Sequence, residues 1–300
     1  MDRRDFLKTT LAAGGALLAD SLLPGGLTMA QNAPLRFAMI TDVHLVGFRE
    51  EGGHVWPRLP KHAWQAINRR YDLMPMLLPR ALQQVQDQHA PEFIVFGGDQ
   101  TDDGNGDLGQ ADQEQFRALV ETQARVPLKY VYGNHDGPQD RFQARFEALD
   151  YTFDRGDVRF VVLNSGSMDW AAEEASSAAA LAELRAAIAT AQGRRLIVLL
   201  HQWIEPADVE GYSIRRAQEM RAVLEAYPRT VAVLNGHYHS GRYSERAGIH
   251  YHTARALCEA PFCYTLYELE SDRLVITEYS LSAHEQAFVP GEPLALALRA

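Results

Sequence analysis

The chain has 300 residues, 46% of them apolar and 23% charged, which is ordinary globular composition with enough apolar material for one large α/β domain. A formal charge of −10 argues against generic nucleic-acid binding, which needs a basic face. It does not argue against phosphate substrates, because bound metal ions supply local positive charge that a net count misses.

In chain order, the N-terminus reads as a targeting segment. Arg3-Arg4 is followed by Phe6-Leu7 and Lys8, then by a modestly apolar stretch from Leu11 to Leu18 closed by Asp20. That run is shorter than the about 20 residues a spanning helix needs. Small residues at Thr28-Met29-Ala30 mark a cleavage point after Ala30. The pattern resembles a bacterial twin-arginine export signal over residues 1–30. It implies the twin-arginine export machinery as a partner, a periplasmic or secreted location, and no transmembrane span in the mature chain. Residues 31–300 are then expected to form a single domain.

Leu35–Thr41 reads as the first strand. Gly52-Gly53, Pro57 and Pro60 make the stretch from Gly47 to Lys61 a loop. A helical period runs from His62 to Gln88, with interruptions expected near Pro75 and Pro79. Phe93–Phe96 is the second strand, Asp112–Arg125 a helix, Pro127–Tyr132 the third strand, and Gln139–Leu149 a short helix. Tyr151–Asp154 and Val158–Leu163 form a hairpin around Arg155-Gly156-Asp157. Ala171–Gln192 is an Ala-rich helix. Leu196–Leu200, a helix over Ser213–Ala226, and Val231–Leu234 follow. Gly248–Thr253, Phe262–Glu268 and Arg273–Tyr279 alternate without intervening helices, so they predict an antiparallel finish. Strands alternating with helices, then a β run, fit an α/β fold of two packed sheets with helices outside.

Cys258 and Cys263 would lie about 16 Å apart on one extended strand, beyond disulfide reach. A turn at Ala260-Pro261 could close that gap, but two separate thiols are the preferred reading. A zinc role is not expected, since the histidine motifs lie elsewhere in the sequence.

Five clusters of metal-binding residue types each follow one of these strands. They are Asp42-Val43-His44, Gly98-Asp99, Gly133-Asn134-His135-Asp136, His201, and Gly236-His237-Tyr238-His239. Ligands of open α/β sheets bind outside the carboxyl ends of the strands, so loops at five strand ends can converge on one point. Asp99 or Asn134 alone reads as a turn or cap residue. Five such blocks in order read as a hydrolytic metal site.

The order D-x-H, G-D, G-N-H-D, H, G-H-x-H resembles the calcineurin-like metallophosphoesterase superfamily, from Asp42 to His239. The resemblance implies a four-layer αββα sandwich of two mixed sheets and two divalent transition-metal ions, for which Mn, Fe and Zn all suit imidazole and carboxylate ligands. It implies that one ion takes Asp42, His44 and His239, that the other takes Asn134, His201 and His237, and that Asp99 bridges them. It further implies that metal-bound hydroxide attacks phosphorus, and that His135 meets the substrate phosphate and serves the leaving oxygen. Asp136 would then fix the His135 tautomer. His201 is followed by Gln202-Trp203, where many relatives carry a proline two positions on, a departure that removes no ligand.

Substrate choice is less legible. Asn68-Arg69-Arg70-Tyr71, Gly211-Tyr212-Ser213 and the stretch from Gly241 to Glu259 are similar to patches of the ADP-ribose/CDP-alcohol diphosphatase branch, and the class III phosphodiesterases are a second branch of comparison. Arg69 or Arg70 could clamp a second phosphate and Trp56 or Tyr71 could stack on a base, but solvated or core side chains are the preferred reading. The expected function is hydrolysis of phosphodiester or pyrophosphate bonds in small nucleotide-like substrates. The alternatives are a phosphomonoesterase and, from another class, a non-catalytic binding module, which would be expected to have lost ligands. A stable nucleic-acid partner is not expected. His54, His62, His89, His250, His252 and His284 fall outside the motifs and read as surface or structural histidines.

Overall fold

The computed structural model describes residues 33–51, 54–58, 68–166, 170–207, 209–284 and 286–299. The expected export signal over residues 1–30 lies outside them.

The elements in order are β1 (Leu35–Ile40), β2 (Phe48–Glu51), β3 (His54–Pro57), α1 (Met74–His89), β4 (Phe93–Phe96), α2 (Gly106–Glu121), β5 (Leu128–Tyr130), α3 (Gln139–Arg145), β6 (Tyr151–Arg155) and β7 (Val158–Val162). Then come α4 (Trp170–Ala189), β8 (Arg195–Leu199), α5 (Ala217–Ala226), β9 (Thr230–Asn235), β10 (Arg242–Arg246), β11 (Ile249–Thr253), β12 (Cys263–Leu269), β13 (Arg273–Leu281), β14 (Phe288–Pro290) and β15 (Leu294–Ala297).

One mixed sheet runs β14-β13-β12-β1-β4-β5, with β15 also on β13, and the second runs β10-β11-β9-β8-β7-β6. Side-chain alternation along the central strands builds the layers. Phe37 and Met39 of β1, Phe93 and Val95 of β4, Phe160 and Val162 of β7, and Ile197 and Leu199 of β8 share one buried cluster between the sheets. The intervening Ala38, Ile40, Ile94 and Phe96 turn the other way and pack with Leu77, Leu78 and Leu82 of α1 and Phe116 of α2. Val161, Leu196 and Val198 pack likewise with Leu184 of α4 and Met220 and Leu224 of α5. Strands covered on both faces read as continuous apolar runs for this reason. The result is the expected four-layer αββα sandwich.

Parallel pairing aligns the strand ends. β1, β4 and β5 are mutually parallel, and so are β7, β8, β9 and β11. Their carboxyl ends therefore open on common edges, which is where the ligand-bearing loops begin.

Three expectations change. The antiparallel finish holds for β12 and β13, which pair with each other and return to the first sheet against β1. β11, by contrast, pairs parallel with β9 in the second sheet and antiparallel only with β10. Alternation within a strand sets its faces but not the direction of its neighbour. The stretch expected as plain loop after Gly47 carries the antiparallel ribbon β2–β3, its strands separated by two residues, the spacing of a hairpin. The helix expected from His62 is described from Met74, with Pro75 in its first turn, where a missing N–H costs nothing; residues 62–67 lie outside the described ones.

Candidate metal centre

The loops after β1 and β4 are laced together before any side chain is considered. The Asp42 N–H donates to Gly98 O at 3.0 Å, His44 N–H to Asp99 O at 2.9 Å, and Leu45 N–H to Gln100 O at 3.0 Å. Four candidate ligands hold left-handed backbone: Asp42 (φ 52°), His44 (φ 47°), Asp99 (φ 52°) and His237 (φ 71°). Non-glycine residues avoid this region because Cβ crowds the backbone, and such strain persists where the surroundings over-determine it. Gly98 (φ 102°) sits where any Cβ would run into the His201 ring.

Asp42, His44, Asp99 and His201 are fully buried, while Asn134, His135, His237 and His239 are half-buried. Imidazoles from opposite sheets meet at one carboxylate oxygen: Asp99 Oδ2 lies 3.5 Å from His44 Nε2 and 3.2 Å from His201 Nε2. His239 Nε2 lies 3.2 Å from Asp42 Oδ1. The His201 and His237 rings are 4.9 Å apart. Asn134 sits in a turn pinned to the same centre, since the His135 N–H donates to Asp99 Oδ1 at 2.9 Å.

The imidazoles are oriented from behind. His44 Nδ1 lies 3.3 Å from Asp102 Oδ1, His239 Nδ1 2.8 Å from Glu259 Oε1, and His201 Nδ1 donates to Gly97 O at 2.8 Å. Each ring thereby turns Nε2 inward. His237 is reversed, its Nε2 donating to Gly211 O at 2.7 Å. Buried Nε2 atoms of His44 and His201 have no hydrogen-bond partner. Unsatisfied imidazole nitrogens facing carboxylates are the donor set a divalent transition metal takes, so these residues fit such an ion.

The electrostatics favour a cation. Burial pushes Asp42 and Asp99 up, but the surrounding histidines outweigh it and hold both carboxyls below their ordinary range. Burial pulls His201 down, yet Asp99 and Asp42 raise it to about 9. Burial and the neighbouring Arg69 bring His44 down to about 3, and burial and His201 bring His237 to about 4.

Asp136 is buried and makes a different set of contacts from those expected. Its Oδ1 accepts the N–H groups of Gln100 (2.8 Å) and Thr101 (3.2 Å), and its Oδ2 those of Gly133 (2.9 Å) and Asp99 (3.0 Å). Burial and the Asp99 carboxylate press its carboxyl upward. Four N–H donors leave neither oxygen room for a proton and favour the ionised form. The His135 tautomer is set instead by Asp102, whose carbonyl accepts from Nδ1 at 2.6 Å.

Of the candidate substrate residues, Arg69 lies against the centre, its Nη1 3.2 Å from His44 Nδ1, and Arg70 and Tyr71 lie away from it. The Arg69 guanidinium donates to Asp102 Oδ1 at 3.0 Å. Arg70 is exposed and paired with Asp72 at 2.7 Å. Tyr71 is 3% exposed with its hydroxyl on Asp102 at 3.0 Å, so its ring is core rather than a stacking surface. Both cysteines are free, as expected, but Cys258 is not remote from the histidines. Its Sγ lies 3.9 Å from His239 Nδ1, on the outer ring edge, away from the inward Nε2. His89, His250 and His252 bond Tyr264 OH, Ala297 O and Tyr267 OH, as structural histidines do.

Glu259 is the site residue the sequence pattern missed. The signal was β11: read as a parallel strand, its carboxyl end would have marked Ala254–Glu259 as a sixth loop at the ligand edge.

Residues 35–241 match the family model described as calcineurin-like phosphoesterase. The chain is 23% identical to a 3',5'-cyclic-nucleotide phosphodiesterase of Nostoc sp., over 77% of this chain and 81% of that protein. It is 26% identical to the 3',5'-cyclic adenosine monophosphate phosphodiesterase of Escherichia coli K12, over 71% and 72%. Among solved structures, a dimetal phosphatase from Danio rerio superposes with a TM-score of 0.66 at 16% identity, covering 88% of this chain and 99% of that one. The fold of a purple acid phosphatase from yellow lupin is also shared, with a TM-score of 0.59 at 15% identity, over 89% of this chain and 54% of that one.

Proposed function

The chain belongs to the calcineurin-like phosphoesterase family, and from that membership we propose that it hydrolyses small nucleotide-like phosphodiesters, cyclic nucleotides foremost, with two divalent transition-metal ions. Family and relatives make it a metal-dependent phosphoesterase. The observation that carries the two-ion reading is the single Asp99 oxygen lying between imidazoles of the two sheets, at 3.5 and 3.2 Å. Asp42, His44 and His239 would hold one ion, Asn134, His201 and His237 the other, and Asp99 both. Bound there, the ions would acidify water and neutralise phosphate charge.

The chain's own residues do the rest. With Nδ1–H committed to the Asp102 carbonyl, His135 has Nε2 left to exchange a proton with a leaving oxygen. Asp102 thus orients two groups at once, His44 through its carboxylate and His135 through its carbonyl. Asp136 holds the turns carrying Asp99 and Asn134 in register.

Diester preference over pyrophosphate is supported by the arginines. Arg69 and Arg70, the candidates for clamping a second phosphate, are each engaged by a carboxylate. The named activities of the Nostoc and E. coli relatives point the same way. Residues 1–30 are proposed as a twin-arginine signal that delivers the enzyme to the periplasm. Fractionation of a strain carrying Arg3→Lys and Arg4→Lys should find the protein retained in the cytoplasm, and unchanged export would refute the signal.

The test of function is a hydrolysis panel on metal-loaded protein with 3',5'-cyclic AMP, bis-p-nitrophenyl phosphate, p-nitrophenyl phosphate and ADP-ribose. Metal-dependent turnover favouring the two diesters is expected. Preference for p-nitrophenyl phosphate would make the protein a phosphomonoesterase, and preference for ADP-ribose a diphosphatase. Absence of turnover with metal bound would make it a binding protein on this fold.

A further inference from the structure

The histidines of the centre are not backed alike. His201 and His237 lean on the neutral carbonyls of Gly97 and Gly211. Of the two assigned to the ion shared with Asp42, His44 has its Nδ1 between the Asp102 carboxylate at 3.3 Å and the Arg69 guanidinium at 3.2 Å. His239 leans on the Glu259 carboxylate at 2.8 Å. Hydrogen bonding to a carboxylate fixes an imidazole's tautomer and raises its basicity as a ligand, more than a carbonyl does.

Glu259 is placed for this by backbone rather than chance. It ends a segment stitched across both ligand loops of that half-site: Ala256 N–H donates to His239 O at 3.1 Å, Leu257 N–H to Thr41 O at 3.0 Å, and Cys258 N–H to Asp42 O at 3.2 Å. Arg70 N–H donates to Cys258 O at 2.8 Å from the other side. The segment emerges from the carboxyl end of β11, whose parallel pairing with β9 brings it to the edge from which His237 and His239 emerge. Cys258 Sγ shares the outer edge of the His239 ring at 3.9 Å, but a thiol is a weak acceptor beside a carboxylate at 2.8 Å.

We propose that Glu259 is a positioning residue for the metal ligand His239, and that the ion at Asp42, His44 and His239 is in consequence held more tightly than its neighbour. This rests on the two-metal reading above. The Glu259 carboxylate accepts Nδ1–H, keeps Nε2 turned toward Asp42, and strengthens that nitrogen as a donor.

The experiment is calorimetric titration of Mn²⁺ into the full chain stripped of metal, as wild type, Glu259→Gln and Glu259→Ala, with melting of each metal-free protein alongside. Wild type should take up two ions with unequal affinity. Glu259→Ala should weaken the tighter event about 10- to 100-fold, the usual effect of losing an outer hydrogen-bond partner, and leave the weaker event unmoved. Glu259→Gln, whose amide oxygen still accepts, should recover part of the loss. Metal-free melting temperatures should coincide. Two ions bound with affinities indifferent to Glu259→Ala would overturn this inference alone, as would loss confined to the weaker event. Equal losses in both variants with a lowered metal-free melting temperature would assign Glu259 a merely structural part and also overturn it. A wild type that takes up fewer than two ions would refute the two-metal reading, and this inference with it.

Discussion

Replacing Asp136 by alanine tests whether that carboxylate serves the backbone or His135. The side chain is fully buried and accepts N–H groups from Asp99, Gln100, Thr101 and Gly133 at 2.8–3.2 Å. Truncation leaves all four donors without that acceptor. A buried donor left unsatisfied costs about 1–3 kcal/mol. Water entering the vacated space and coupling among neighbours reduce the total below simple addition. A loss of about 4 kcal/mol is expected, a large share of the roughly 5–15 kcal/mol by which native domains are stable. Asp136→Asn keeps one oxygen for two of the donors and turns an NH₂ toward the other two, so about 2–3 kcal/mol is expected. The assay is urea unfolding of the metal-free protein, comparing midpoints at unchanged slope. Because these turns carry Asp99 and Asn134, metal affinity should fall together with stability. A destabilisation below about 1 kcal/mol would refute this account. An intact fold with a displaced pH–rate profile would return Asp136 to the role of His135's partner.

His135→Ala should lower kcat on diesters with poor alkoxide leaving groups by about 10²–10⁴-fold, with a smaller loss on bis-p-nitrophenyl phosphate, whose leaving group needs no proton, and equal losses on both would refute the proton-donor role. Gly98→Ala, at φ 102° and against the His201 ring, should cost at least about 1–3 kcal/mol of backbone strain and weaken Mn²⁺ binding; a variant that melts and binds like wild type would show that the loop tolerates a Cβ. Asp150 is pushed up to about 6 by burial, against the Asn164 N–H that donates to it at 2.8 Å. Its folded value lies above the unfolded one, so the folded state is favoured by protonation: the stabilisation is full below about pH 4 and lost as pH rises through 6. Asp150→Asn, which keeps the acceptor, should therefore match wild type near pH 4 and exceed it by about 1–2 kcal/mol at pH 7, after discounting for partial exposure; a difference independent of pH in urea unfolding would refute this.

Asp42, Asp99, Asn134, His201 and the His237–His239 pair were legible as one centre because each follows an apolar run that had to be a covered strand. Parallel strands deliver their carboxyl ends to one edge whatever the loops do afterwards. The same reading placed Asp136 behind His135, since a carboxylate next to a histidine in sequence invites that pairing. The turn from Gly133 to Asp136 instead directs the carboxylate inward, where four N–H groups of two turns needed an acceptor. Sequence adjacency says nothing about which way a tight turn points successive side chains.

Strand patterning thus pointed to two packed sheets and to the loop ends that carry the five clusters, and the family resemblance to the four-layer sandwich and the ligand set. Asp102, three positions after Asp99, was already legible as a residue behind the ligands, but tertiary structure alone decided which ring it backs and brought in Glu259. Asp102 reaches His44, and Glu259 reaches His239, through contacts spanning 58 and 20 positions of sequence respectively. The first contact exists because β4 lies parallel beside β1, and the second because β11 joins the second sheet parallel to β9 while β12 crosses back to the first. Strand partnership is chosen by packing across the whole domain, and no local pattern encodes it.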